Sequence, residues 1–507
     1  MTEINADPAA RGDEAEAPGA GTGRPAPGGG QSSATRWWTL TAVCLGTFML
    51  LLDVTIVNVA LPDIQSALHS SFAGLQWVVD AYALSLAALL LTAGSLADLY
   101  GRRRLYLVGL VIFTLGSLLC GTAVTALMLQ LSRALQGVGG AIMFSVALAL
   151  LADAFRGKDR GVAFGVWGAV TGLAVAIGPL LGGILTSGLS WRWIFFVNLP
   201  IGVVAVVITL LRVAESRSPV ARRPDWIGFV LFTAALSALI YGLIESSGDS
   251  FGSGLVLGCL IGAGVLLAAF VVAESRMRQP MFELALFRKP TFSGGSVAAF
   301  SLSASIFALL LYLVLYLQNV LGYSALGTGV RLLVISGGIL ATSTLAGRLS
   351  SRVPVRFLIG PGLFLVGAGL LLMRGLDAGS TWTHLIPGMI VSGAGVGMVN
   401  PPLASTAVGV VPPQQAGMAS GINSTFRQVG IATGVALLGT LFYSHLGASI
   451  TAHAGALGGR VPHGAAAIQL RAAFASGLNY IMLVAAIIAL AGGVISLAAI
   501  RGRDFAH

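Results

Sequence analysis

The sequence predicts an all-α protein that crosses a membrane many times, built as two six-helix bundles with two helices inserted between them. Three observations carry this. Hydrophobic residues make up 56% of the 507 positions and charged residues only 9%, with a mean hydropathy of +0.89. A water-soluble chain of this length needs far more charge to cover its surface. The apolar residues gather in runs near the 20 or so that a bilayer core requires. The basic residues, which give a net charge of +10, fall mainly in alternate gaps between those runs, the pattern of a topology signal and not of a nucleic-acid surface.

Taken in order, residues 1–34 are rich in Ala, Gly and Pro with scattered acids; such a segment buries too little apolar area to offset its ordering entropy, so a disordered tail is expected. No cleavable leader is expected, because the first apolar run starts late and is long. That run, 37–62, contains one carboxylate, Asp53. Further spans are expected near 74–97, 104–124, 126–152, 161–186 and 192–213, which complete a first bundle over 35–213. Two more, near 226–246 and 255–273, fall in an inserted segment, 214–276. The last six lie near 291–319, 326–347, 355–373, 385–409, 416–443 and 479–500, in a second bundle over 277–507 with a long connection at 444–478. Placing both termini in the cytoplasm puts Arg102, Arg103, Arg104, Arg156, Arg222, Arg223, Arg348, Arg352 and Arg356 inside, and leaves only a few such as Arg192 and Arg374 outside. Leu96-Ala97-Asp98 before Gly101-Arg102 and Leu345-Ala346-Gly347-Arg348 end the second span of each bundle, a degenerate internal repeat. Cys44, Cys120 and Cys259 lie inside apolar runs and read as packing residues.

Four motifs then carry a family resemblance. Leu52-Asp53-Val54-Thr55-Ile56-Val57-Asn58-Val59-Ala60-Leu61-Pro62 lies in the first span, and Gly94-Ser95-Leu96-Ala97-Asp98 with Gly101-Arg102-Arg103 closes the second. Leu131-Ser132-Arg133-Ala134-Leu135-Gln136-Gly137 sits in the fourth, and Gly165 with Gly178-Pro179-Leu180-Leu181-Gly182-Gly183 in the fifth. Together they resemble the fourteen-span drug–proton antiporter branch of the major facilitator superfamily. Trp191 to Pro200 and Asn423 to Gly430 are further stretches usual there. Leu99, in place of the usual Arg after the loop Asp, and Ala174, in place of a Gly, depart from the pattern.

The resemblance implies bacterial cytoplasmic-membrane export of hydrophobic or amphipathic compounds in exchange for protons, with no cofactor, no metal, no nucleic acid and no enzymatic step. The oligomeric state is left open, a monomer among the choices. Asp53 is the expected proton carrier. An embedded acid is costly and usually has a task, and it lies at about the depth of Arg133, roughly 12 Å from the outer end. Desolvation and a guanidinium would pull its proton equilibrium in opposite directions. Asp80 is a second candidate, as a proton site, an attractor of cationic cargo, or a carboxylate solvated in an outer vestibule. No Asp or Glu occurs from Leu284 through Leu376, so carboxylate proton carriage falls to the N-terminal half. Gly94, Asp98, Gly101, Arg102 and Arg103 are expected to form a gate, with Asp98 meeting the positive end of a helix beginning near Gln415 to Gly421. Gly168, Gly172, Gly178 and Gly182 are expected to let a neighbouring backbone approach, and Pro179 to bend its helix. Cargo contacts are sought among Tyr82, Trp167, Asn198, Tyr312, Tyr316, Gln318, Asn400, Arg331 and Arg427. A dedicated exporter of one metabolite is the alternative, since Arg331 and Arg427 would suit an anionic cargo; a non-transporting membrane sensor or scaffold is a third.

Overall fold

The computed structural model describes residues 33–155, 157–217, 224–246, 252–278, 280, 282–350, 353–411, 416–446, 465–501 and 504. Residues 1–32 of the expected tail, most of the connection at 444–478, and Arg156, Arg222, Arg223 and Arg352 lie outside them. Among the described residues the chain is helical, without strands. Thirteen helices are long and apolar enough to cross a membrane, and Arg356–Leu372 is a shorter apolar one.

The helices of the first bundle are α1 (Ser33–Leu68), α2 (Phe72–Tyr100), α3 (Arg102–Gly121), α4 (Ala126–Ala154), α5 (Gly157–Gly188), a single turn α6 (Trp193–Phe196) and α7 (Asn198–Arg212). A hairpin follows, α8 (Trp226–Glu245) and α9 (Gly254–Arg276). The second bundle has α10 (Pro290–Leu302), α11 (Ala308–Leu315), α12 (Ala325–Leu349), α13 (Arg356–Leu372), α14 (Ile386–Gly409), α15 (Ala416–Leu446) and α16 (Ala465–Ala499). Several starts are set by a side-chain oxygen that takes an otherwise unpaired N–H: Ser71 for Gly74, Thr125 for Met128, Asp225 for Gly228, Ser253 for Val256 and Ser324 for Gly327.

Three boundaries depart from expectation. The last helix begins at Ala465, not near 479, and the first runs on to Leu68. The span expected at 291–319 is one helical run, Pro290–Val320, but π-helical turns at Ser303–Phe307 and Tyr316–Val320 split its α-helical part into α10 and α11.

Within the first bundle α1 packs on α5 and α7, and α4 packs on α2 and α3; within the second, α14 packs on α12 and α13, and α16 on α10, α13 and α15. The two bundles meet along two seams, α2 with α15 and α5 with α12. The hairpin lies over the first seam: α8 touches both α2 and α15, Ile240, Leu243 and Ile244 pack with Ala83, Ala432 and Ala436, and Ser246 hydrogen-bonds Thr440 at 3.0 Å. Farther along, Phe232, Phe270 and Phe282 form a ring cluster with centroids 5.2–5.5 Å apart.

The second seam is closed over only part of its length. Near the end that carries Gly188 and Ala325, a Cβ on Gly183 would lie 2.7 Å from the Ala325 carbonyl, and one on Gly329 would lie 2.3 Å from that of Pro179. The Leu326 N–H donates to Ser187 Oγ at 2.9 Å. Toward the opposite end, which carries Arg102 to Arg104 and Arg356 and is called the basic end below, Gly168 and Gly172 of α5 and Gly337 and Gly347 of α12 face nothing within 4 Å. Gly168 and Gly172 therefore admit no neighbouring backbone, against expectation. Gly178 and Gly182 do: their missing side chains leave room for Thr55 and Ile56 of α1.

Candidate functional site

Asp53 is fully buried in α1, and its carboxylate accepts from three side chains on two other helices. Arg133 of α4 donates to Oδ2 at 2.5 Å, and Gln136 and Asn198 (of α7) donate to Oδ1 at 2.8 and 3.3 Å. Ser117 of α3 ties these amides together, accepting from Gln136 at 2.8 Å and Asn198 at 3.3 Å. The Arg133 guanidinium also donates to the Gln136 side-chain oxygen at 2.6 Å and the Val78 carbonyl at 3.1 Å, and lies 4.2 Å from the centre of the Tyr82 ring. One acid and one base thus cancel inside the bundle, with most donors and acceptors filled, the condition under which a buried ion pair is tolerable. The Asn198 Oδ1 and the Tyr82 hydroxyl are left without a partner.

This cluster touches the space between the bundles. Arg133 and Tyr82 line a small cavity together with Val54, Val57, Val79 and Ala83 on one side and Gln428 and Ile431 of α15 on the other. Sequence reasoning reached Asp53, Arg133 and Tyr82 but sought Asn198 among the cargo contacts, whereas the fold brings it to Asp53. Gln136 and Ser117 were missed. Gln136 could have been found, since it follows Arg133 by three residues and so shares its helix face; Ser117 had no such signal.

Asp80 is fully buried, and neither carboxylate oxygen has a hydrogen-bond partner. A solvated vestibule is therefore ruled out for this conformation. One turn away, Gln76 donates to the Val435 carbonyl of α15 at 3.1 Å, beside Tyr312, whose hydroxyl donates to the same carbonyl at 2.5 Å. Both sit in the seam that α8 covers.

The loop between α2 and α3 is latched within its own bundle. Asp98 pairs with Arg102 at 3.0 Å, and Arg103 donates to the Thr209 and Leu210 carbonyls that end α7, at 3.2 and 2.6 Å. Glu215 accepts from the Arg103 and Arg104 N–H groups at 3.1 and 3.3 Å. Gly101 has φ +111°, and a Cβ there would lie 2.7 Å from the Glu215 carboxylate. Asp98 thus makes its salt bridge inside this loop and not across to α15; Gln415 lies outside the described residues. Gly94 faces Ser145.

The remaining candidates scatter. Trp167 donates to Thr47 Oγ1 at 3.0 Å. Tyr316 is buried against Phe474, and Gln318 donates to the Val59 carbonyl of α1 at 2.7 Å. Arg331 stacks on Tyr323 at 3.4 Å and faces Trp382 at 5.0 Å. Arg427 donates to Asn400 Oδ1, bridging α15 and α14, and both are half-buried. Gly165 lies in α5. Pro179 lies within that helix too, its carbonyl against Gly329 of α12. Among the described residues no group of His, Cys, Asp and Glu is arranged to hold a metal ion.

Comparison with known proteins places this architecture. The model of the Major Facilitator Superfamily matches residues 43–435. The chain is 39% identical over 420 residues to multidrug resistance protein Stp of Mycobacterium tuberculosis, covering 83% of this chain and 78% of Stp. It is 38% identical over 411 residues to puromycin resistance protein pur8 of Streptomyces alboniger (80% and 82% covered). With the tetracenomycin C resistance and export protein of Streptomyces glaucescens the identity is 35% over 412 residues (81% and 77% covered). Among solved structures it is similar in fold to a bacterial homolog of the human lysosomal transporter Spinster in an inward-facing and occupied conformation, with a TM-score of 0.63 at 17% identity, covering 94% of this chain and 99% of that one. With most of its length matched and several relatives above one-third identity, the chain belongs to the major facilitator superfamily, and it is a multi-pass membrane transporter and not an enzyme.

Proposed function

We propose that this transporter is a proton-driven antiporter that exports hydrophobic or amphipathic drugs or antibiotics across the bacterial cytoplasmic membrane by alternating access. The cargo class is supported by the relatives, whose names describe resistance to several drugs, to puromycin and to tetracenomycin C. The coupling rests on one observation, the sealed Asp53–Arg133 pair at 2.5 Å beside a cavity shared by both bundles. A proton delivered to Asp53 would neutralise the acid and release the guanidinium, and Arg133, stacked on the cavity-lining Tyr82, is the group through which cargo would feel that change. Asp80 is proposed as a second proton site, because an anion left there uncompensated would cost several kcal/mol. In the topology proposed, the basic end and both termini face the cytoplasm, so the open lower part of the α5–α12 seam faces the cell interior. The residues Gly94, Asp98, Gly101, Arg102 and Arg103 act as the gate on that side.

The test is transport in proteoliposomes carrying an imposed pH gradient. Wild-type chain should move protons in the direction opposite to a fluorescent amphipathic drug, and Asp53→Asn should lose proton-coupled movement by at least tenfold while still inserting. Wild-type export by Asp53→Asn under the same gradient would remove Asp53 from the mechanism.

A further inference from the structure

The embedded cations of this chain are not equivalent. Arg133 is neutralised by Asp53 at 2.5 Å. Arg331 sits between Tyr323 and Trp382, its charge spread over two ring faces, and donates to the Gly327 carbonyl at 2.8 Å. Arg427 is different. It lies in the middle of α15, and its hydrogen-bond partner is the neutral side-chain oxygen of Asn400. Among the described residues no carboxylate forms a salt bridge with it. None is within sequence reach on its own bundle either, since no Asp or Glu occurs from Leu284 through Leu376 and none between Asp377 and Asp504.

The position of Arg427 on α15 follows from its neighbours. Asn423, one turn before it, faces α10 through the Gly295 carbonyl, while Gln428 beside it and Ile431, one turn after it, line the cavity with Arg133 and Tyr82. Arg427 therefore lies at the edge of the inter-bundle space and reaches sideways to α14. Gly397, three residues before Asn400, faces α12 through Ile339 and Thr342. A cation inside a bilayer is expensive unless an anion or water meets it, and a guanidinium is a fork that matches the oxygen pair of a carboxylate or sulfonate.

We infer that Arg427, held in place by Asn400, is an anion-recognising residue of the cargo site, and that the transporter selects amphipathic cargoes bearing an acidic group over their neutral analogues. This rests on the export reading and narrows its cargo class. The cargo's acid would complete the charge that the protein leaves open, while its apolar body enters the neighbouring inter-bundle space that Gln428 and Ile431 line.

The test is binding of a matched fluorescent pair, 9-anthracenecarboxylic acid and its methyl ester, to the full-length chain in detergent. Wild-type chain should bind the acid more tightly than the ester, and Arg427→Gln should reduce the acid-to-ester affinity ratio at least tenfold, with Arg427→Lys restoring most of it. Should Arg427→Gln fail to fold, Asn400→Asp serves instead, because a carboxylate beside the guanidinium should reduce the same ratio. An unchanged ratio in a folded variant overturns the inference. So does wild-type binding of the ester without the acid, an outcome that leaves the export reading standing. Binding of neither probe would count against the apolar cargo site itself, and against this inference with it.

Discussion

At Gly101 two constraints meet on one residue. Its φ of +111° is one that a side chain adopts only under strain, and the space where a Cβ would go is filled by the Glu215 carboxylate. Leu99 departs from the pattern of the resembling loops, where an Arg follows the Asp, which leaves this loop's charge network one cation short. The structure supplies another member, Glu215, from the segment after α7, which accepts from the first N–H groups of α3. Its distance in sequence from the loop is why it was illegible there. Glu215→Ala should lower stability by about 0.5–2 kcal/mol, the usual cost of losing a helix cap. Gly101→Ala should cost about 1–2 kcal/mol from backbone strain, plus the clash with Glu215. Because the first change removes that clash, the two should be sub-additive in a double-mutant cycle read by thermal unfolding in detergent. Strict additivity would mean that Glu215 does not occupy the space Gly101 leaves.

Helices were the most legible level, because span length and apolarity are set by the bilayer and can be counted. What could not be counted was which face of a helix meets which partner. Gly168-x-x-x-Gly172 and Gly178-x-x-x-Gly182 look alike in sequence, yet only the second pair packs, against Thr55 and Ile56. The π-helical turns in 303–307 and 316–320 were equally hidden. The first belongs to contacts made elsewhere: α15 presses on it through Gly430 and Gly434, where a Cβ would lie 2.6 Å from the Phe300 carbonyl and 2.7 Å from Ala304. Such single-turn widenings accommodate a residue that the α-helical ladder cannot seat. The contrast between the glycine pairs gives a direct prediction. Gly178→Ala places a Cβ within 1.9 Å of Thr55 Oγ1, and Gly182→Ala within 2.8 Å of the Ile56 carbonyl, so both should lower thermal stability and export. Gly168→Ala and Gly172→Ala should be tolerated, or gain up to about 1 kcal/mol from helix propensity. Equal losses at all four positions, measured by unfolding midpoint, would show that the lower half of α5 is packed after all.

Across the whole molecule, apolar packing joins the bundles along both seams, including Leu91 of α2 against Gly421 of α15, and three short polar bridges add to it at the end away from the basic loops. Gln318 donates to Val59, Gln76 to Val435, and the Leu326 N–H to Ser187. Bonds of this kind contribute about 0.5–1.5 kcal/mol each, because water can replace them when the seam opens. A set of three is thus strong enough to hold one state and weak enough to be released by a change of charge or cargo. The hairpin of α8 and α9 covers the α2–α15 seam, so opening and closing would have to be accommodated mainly along α5 and α12. Their contact at Ser187 and Leu326 is where this can be tested. With Cys44, Cys120 and Cys259 first replaced, Ser187→Cys and Leu326→Cys should cross-link under mild oxidation. The cross-linked chain should lose drug export in proteoliposomes, and reduction should restore it. A link that forms in high yield yet leaves export intact would show that this end never parts during transport, and the alternating-access account of the two seams would fail.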